Sequence, residues 1–218
     1  MVTTSGRRER STLQDPARTP TVALLALALG LTVALLELGV MAYASERIGV
    51  ESRYLFTLLA LSLLGANVDI PLGGRPEADD EDDGAPRPTV LAVNLGGAVI
   101  PSALSAYLLV YGGAPLAALA GVAIVAVVVH RIARPDPRIG ITVPIFVPPL
   151  VAAAVGWLLA PAAAPAVAYV AGTLGTLIGA DLTNLRTLRG MGAPLASIGG
   201  AGTFDGIFVT GILAVLLA

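Results

Sequence analysis

The chain has no cysteine, no lysine, a single histidine (His130) and a single tryptophan (Trp157). Without cysteine there are no disulfide staples, no thiol nucleophile and no cysteine-type zinc site. One histidine, with carboxylates scattered over separate segments, offers no donor set for a metal, and none is expected. Charge is scarce as well: 13% of the 218 residues are charged and the formal net charge is -2, so the basic footprint of a nucleic-acid binder is missing. "GGAGTFDG" is glycine-rich but carries no Lys-Ser/Thr and follows no evident strand, which argues against ATP or NAD and leaves no cofactor implied.

What fills the chain is apolar: 56% of it is hydrophobic and its mean hydropathy is +0.83, far from a soluble domain. A hydrocarbon core needs roughly 20 apolar residues of helix, and seven segments meet that need, at about 21–43, 54–72, 89–111, 113–130, 143–160, 163–185 and 194–218. The expected fold is all-α, a polytopic transmembrane helix bundle of about seven spans. Three prolines in "GITVPIFVPPL" predict an irregular or partly re-entrant start to the fifth span. Residues 1–20 read as a flexible cytoplasmic arm and 21–218 as a single transmembrane domain. The acidic run "EADDEDDGAPRP" falls in a solvated loop at about 73–88. "AYA" before Ser45 resembles a signal-peptide cleavage site, but the preceding apolar stretch is long and contains Glu37, so an uncleaved anchor is expected.

Arginine sets the orientation. Arg7, Arg8, Arg10, Arg18, Arg75, Arg87, Arg131, Arg134, Arg138, Arg186 and Arg189 fall on one side of such a seven-span chain, and only Arg47 and Arg53 on the other. That bias predicts a cytoplasmic N-terminus and an outside C-terminus in the cell membrane. Tyr43, Tyr54, Tyr107, Tyr111, Trp157 and Tyr169 then fall toward the outer ends of their spans, as an interfacial aromatic belt would.

With depth assigned, the unusual residues collect in the cytoplasmic half. Asn67 and Asp69 close the second span, Asn94, Gly96, Gly97 and Pro101 open the third, and Pro144, Pro148 and Pro149 open the fifth. Asp181 and Asn184 close the sixth, and "SIGGAGTFDGIF", with Asp205, opens the seventh. Glycine- and proline-interrupted helices at membrane depth need protein or a water-filled cavity around them, which predicts a cavity facing the cytoplasm. Asp181 and Asp205 stand out because no arginine lies inside any span to compensate them. The short link "RTLRGMGA" makes their helices neighbours, close enough to share a site and a proton. The candidate solute or ion site comprises Asp181, Asp205, Asn184, Asn94, Gly199, Gly200, Gly202, Thr203 and Asp69. The plainer reading is that the glycines permit close helix packing and the asparagines join helices. His130 reads as an interfacial residue.

"NLGGAVIP", "VPIFVPPL", "AYVAGTLGTLIGADLTNL" and "SIGGAGTFDGIFVTGILAVLLA" together resemble the domain-of-unknown-function family 1614, prokaryotic integral membrane proteins without an assigned activity. The likeness covers roughly residues 50–218. It implies a membrane protein with a shared site around Asp181 and Asp205. At residue 69 the chain departs, with Asp69 of "VDIPL" in the family's asparagine place.

Three functions are open. The first is a transport-like protein for a small solute or ion, with the aspartates as a proton or cation site. The second is an intramembrane aspartyl protease with Asp181 and Asp205 as its catalytic dyad. Ala180-Asp181 and Gly202-Thr203-Phe204-Asp205 both depart from the Tyr-Asp and Gly-x-Gly-Asp motifs of presenilin-type proteases. The third is a non-catalytic scaffold. Expected partners are the lipid bilayer, a small solute, ion or membrane peptide, and a second copy of the chain.

Overall fold

The longest apolar runs form the longest helices. A computed structural model of the chain describes residues 39–72, 89–136, 140–190, 195–200 and 206–218. Contacts group residues 1–40 and 41–218 as separate units. In chain order the elements are α1 (Gly39–Ile48), α2 (Ser52–Gly65), β1 (Asp69–Pro71) and β2 (Val90–Asn94), then a π-helical turn (Leu95–Val99) leading into α3 (Ile100–Tyr111). α4 (Pro115–Ile132), β3 (Arg134–Asp136), β4 (Gly140–Thr142) and α5 (Val147–Leu159) follow. A 3-10 turn (Pro161–Ala163) opens α6 (Ala164–Thr176), which runs on through a second π-helical turn (Leu177–Asp181) and a 3-10 turn (Leu182–Asn184) into α7 (Leu185–Gly190). β5 (Leu195–Ile198) and α8 (Gly206–Leu217) complete the described chain.

Among the described residues, two helical stretches, Pro115–Ile132 and Pro161–Thr187, are long and apolar enough to cross a membrane. α1 and α2 would make a third crossing only as a pair bent by 115°. Leu95–Tyr111 and Val147–Leu159 are shorter apolar helices. The segment expected at about 21–43 lies mostly outside the described residues. The proline-rich start of the fifth segment is irregular, with helix beginning only at Val147.

α6 is the centre of the bundle. Every residue from Ala164 to Thr173 is buried, and the helix packs against α4, α5, α8 and α3. Small residues make this possible, because they let helix backbones approach closely. A Cβ at Gly156 would lie 2.5 Å from the Ala164 carbonyl oxygen, and one at Gly175 would lie 2.6 Å from Val125 Cβ.

The fold is mostly helical, not all-α. The sequence predicts helix to residue 72 and again from 194, but α2 stops at Gly65 and both regions contribute strands. β1 pairs antiparallel with β2 (Asp69 opposite Asn94, Pro71 opposite Ala92), and β5 pairs parallel with β2 (Ala92 opposite Ser197, Val93 opposite Ile198). Short strands of Val, Ile, Leu and Ala inside apolar runs are hard to tell from buried helix, because neither period is visible over four residues. "GGAGTFDG" therefore does follow a strand, β5, although its lack of a lysine still stands. Tyr169 is a second correction. Tyr43, Tyr54, Tyr107, Tyr111 and Trp157 are exposed, whereas Tyr169 is fully buried in the core and belongs to no surface belt.

Candidate functional site

The sheet explains the cluster that gathers at one end of the bundle. Side chains alternate faces along a strand. Asp69 faces Asn94 across the β1–β2 pair, and Ser197 faces Ala92, two residues back from Asn94 on β2. Asp69, Asn94 and Ser197 thus share one face, and they bond to one another. Ser197 Oγ donates to Asp69 Oδ1 at 2.5 Å, and Asn94 Nδ2 donates to the same oxygen at 3.0 Å.

Asn94 is the hub. Buried to 1% exposure, it also donates from Nδ2 to the Ala66 carbonyl at 2.7 Å and accepts the Gly97 N–H on Oδ1 at 2.8 Å. One side chain therefore closes the end of α2, caps the π-helical turn before α3 and holds Asp69. Ser62 adds a second tie, donating from Oγ to the Gly96 carbonyl at 2.5 Å. Gly96 has to be glycine here: a Cβ would overlap the main chain of Ser62, Gly65 and Ala66.

Asp181 joins through the turn after β5. Gly199 and Gly200 have φ of +87° and +94°, a region costly to any residue with a Cβ. That turn aims the Gly199 N–H at Asp181 Oδ2, at 2.8 Å. Two residues of chain separate the Ser197 tether from the Gly199 tether, so the Asp69 and Asp181 carboxylates lie no more than about 12 Å apart. Both are partly buried. Among the described residues neither has a cationic partner, and no donor reaches Asp69 Oδ2 or Asp181 Oδ1. Groups of three or more metal-ligating side chains are also absent among those residues.

The expected site residues thus separate into three sets. Asp69, Asn94, Gly199 and Asp181 come together, with Gly200 beside them in the turn. Asn184 does not join them: its amide donates to the carbonyls of Gly179 at 3.2 Å and Ala180 at 2.8 Å, filling the acceptors that the widened turn leaves open. Gly202, Thr203 and Asp205 lie outside the described residues, and with them the pairing of Asp181 and Asp205. Sequence reasoning missed Ser197, whose significance depends on strand register, and Ser62. His130 is exposed, and its Nδ1 lies 2.8 Å from Thr183 Oγ1. Thr183 Oγ1 also lies 2.8 Å from the Gly179 carbonyl, so the His130–Thr183 hydrogen bond ties the end of α4 to the end of the α6 stretch.

Comparison with family models decides the relationship, since the family described as "Protein of unknown function (DUF1614)" matches residues 71–217. The chain belongs to that family. No curated protein and no solved structure matches it. The DUF1614 match takes in Asn94, Asp181, Ser197 and Gly199 but begins two residues after Asp69, so the tether on β1 lies just beyond it.

Proposed function

We propose that this chain is a multi-pass protein of the cell membrane, with about seven spans, a cytoplasmic N-terminus and an outside C-terminus. In this reading it moves a small solute or ion, using a proton or cation held at Asp181 and Asp69, with Asp205 a third carboxylate from the segment before α8. One observation carries the proposal: two carboxylates from different parts of the chain hang on one short strand and its glycine turn, without a cationic partner among the described residues. A carboxylate in that setting must be protonated, hydrated or bound to a cation. Any movement of the Ser197–Gly199 segment alters both carboxylates together, which is the coupling that transport needs. The arginine bias and the two long apolar helices support the membrane setting.

Proteoliposomes loaded with a pH-sensitive dye test the reading under imposed proton, sodium and potassium gradients. The wild-type chain should dissipate at least one gradient, and Asp181→Asn should abolish that flux while melting like wild type. Vesicles no leakier than empty ones under all three gradients would refute it. If Asp181→Asn keeps its flux but unfolds earlier, the aspartate is a helix lock and the scaffold reading replaces transport.

A further inference from the structure

Three exposed arginines gather where α4 meets the end of the α6 stretch. His130, two residues before the end of α4, bonds through Nδ1 to Thr183 Oγ1 at 2.8 Å. That bond holds the end of one helix against the turn that follows the other. Arg131 is the next residue on α4. Arg186 lies three residues beyond Thr183 on a continuing helical stretch, where positions so spaced are neighbours on one face. Arg134 opens β3, two residues past the end of α4 and so within about 7 Å of it along the chain. Pairing with β4, and a bond from Thr142 Oγ1 to the Arg134 carbonyl at 3.0 Å, fix its main chain. β4 in turn rests on the π-helical turn Leu177–Asp181.

Arg131, Arg134 and Arg186 are exposed. Among the described residues none of their guanidiniums has an ion-pair or hydrogen-bond partner. The arginines at the α1–α2 corner are occupied instead: Arg53 pairs with Glu51 at 2.7 Å and lies over the Tyr54 ring, and Arg47 donates to the Tyr43 hydroxyl at 2.9 Å. Below the unpaired group runs an apolar surface. Leu116, Ile124 and Val127 share one face of α4 with Arg131, and they are 82%, 43% and 54% exposed. From Arg131 to Leu116 this face is about 22 Å long. The opposite face of α4, with Val122, Val125 and Val129, is buried, and α4 packs on α6.

We propose that Arg131, Arg134 and Arg186 bind the phosphate headgroup of an anionic phospholipid whose acyl chains lie along the exposed face of α4. The site rests on the reading of the chain as a membrane protein with this end in the cytoplasmic leaflet, and not on transport. Guanidinium forks match phosphate oxygens bidentately, and basic pockets at the cytoplasmic ends of membrane helices suit anionic headgroups. Orientation in the membrane needs only an excess of arginine on one side. It does not require that three be left unpaired around a side-chain tie and above an apolar face. His130 and Thr183 are positioning residues, since they hold the arginines together. A lipid seated there bridges α4, β3 and α7, the elements around the turn that carries Asp181.

The absence of native cysteine makes the test direct. Val127→Cys in the full-length chain carries a bimane fluorophore, and the protein is reconstituted in phosphatidylcholine vesicles. A minor share of the lipid is brominated phosphatidylglycerol in one sample and brominated phosphatidylcholine in the other. Quenching should report a relative binding constant about tenfold or more in favour of phosphatidylglycerol. Leu116→Cys, at the far end of the same face, should show no preference. Equal quenching by the two lipids at 127, or one preference shared by both positions, overturns the site alone. Absence of quenching by either lipid puts α4 outside the bilayer, and the membrane reading falls with the site. Arg131→Gln with Arg186→Gln should bring the ratio at 127 to within about twofold of one; a preference that survives refutes the assignment. Thr183→Val keeps every charge but releases the tie, and should cut the preference about threefold or more. An unchanged preference there means diffuse surface charge and no built site. Should the double variant insert poorly, Arg131→Lys with Arg186→Lys keeps the orienting charge, and loss of the forks should lower the preference by a similar factor. Soluble glycerol 3-phosphate should leave the preference intact; if it erases it, the occupant is a soluble phosphate ester and the lipid assignment fails.

Discussion

Gly199→Ala is the sharpest perturbation of the cluster. The residue sits at φ +87°, where a side chain costs about 1–2 kcal/mol. Its new Cβ would lie 2.7 Å from both Ala98 Cβ and Ala98 N and 2.8 Å from Gly97 C. Those atoms belong to the buried π-helical turn capped by Asn94, so they cannot yield cheaply, and overpacking of this kind costs about 1–3 kcal/mol. The displacement also pulls the N–H away from Asp181 Oδ2, a bond to a carboxylate worth at most about 1.5–3 kcal/mol. All three penalties arise from one shift and do not add fully, which leaves an expected destabilisation of about 3 kcal/mol. Gly200→Ala, at φ +94°, is the control for backbone strain alone and should cost about 1–2 kcal/mol. Reversible unfolding in mixed micelles with rising denaturing detergent measures both, and infrared spectroscopy follows the carboxyl band of Asp181. Loss of less than about 0.5 kcal/mol in Gly199→Ala, or a loss no larger than that of Gly200→Ala with the carboxyl band unmoved, would refute the role of this turn.

Gly96→Ala forces a methyl into the main chain of α2 and should be the most destabilising single methyl in the chain, at about 3 kcal/mol or more by the same unfolding assay. Asn94→Ala strands the Gly97 N–H and the Ala66 carbonyl and takes a donor from Asp69, a loss of about 2–4 kcal/mol. Ser197→Ala removes one donor from Asp69 and should cost about 1–2 kcal/mol. Asp69→Asn keeps an acceptor oxygen for both Ser197 and Asn94, so it should fold within about 1 kcal/mol of wild type while losing cation- or proton-dependent flux. An unfolding penalty as large as that of Asn94→Ala would mean that the charge serves stability rather than transport.

The helical frame was legible because apolar length is a strong signal: the runs around 115–132 and 161–187 stand out by hydropathy alone. Asp181 was legible for a complementary reason, as a carboxylate in a run with no basic residue to balance it. β1 (Asp-Ile-Pro), β2 (Val-Leu-Ala-Val-Asn) and β5 (Leu-Ala-Ser-Ile) were not, since three to five residues inside a largely apolar run show neither helical nor strand periodicity. With the strands went Ser197: a serine means little until the β2–β5 register puts it on the same face as Asp69 and Asn94. Tyr169 was misplaced because position in a span gives depth but not the side of the helix. The glycines at 96 and 97 did mark the interrupted turn before α3, although its geometry, an extra residue per turn, cannot be read from composition.

The bond between Ser197 and Asp69 joins residues 128 apart in sequence, and β2 lies between β1 and β5 with a neighbour on each side. During synthesis, β1, β2 and α3 are made long before β5 exists. Until it arrives, one edge of β2 has unpaired main-chain groups. β5 therefore acts as a latch: by seating on β2 it brings Ser197 to Asp69 and the Gly199 N–H to Asp181, and so sets both carboxylates in place. A nascent chain arrested before residue 195 would be unlatched, its Asp69 and Asp181 lacking the tethers supplied by Ser197 and Gly199.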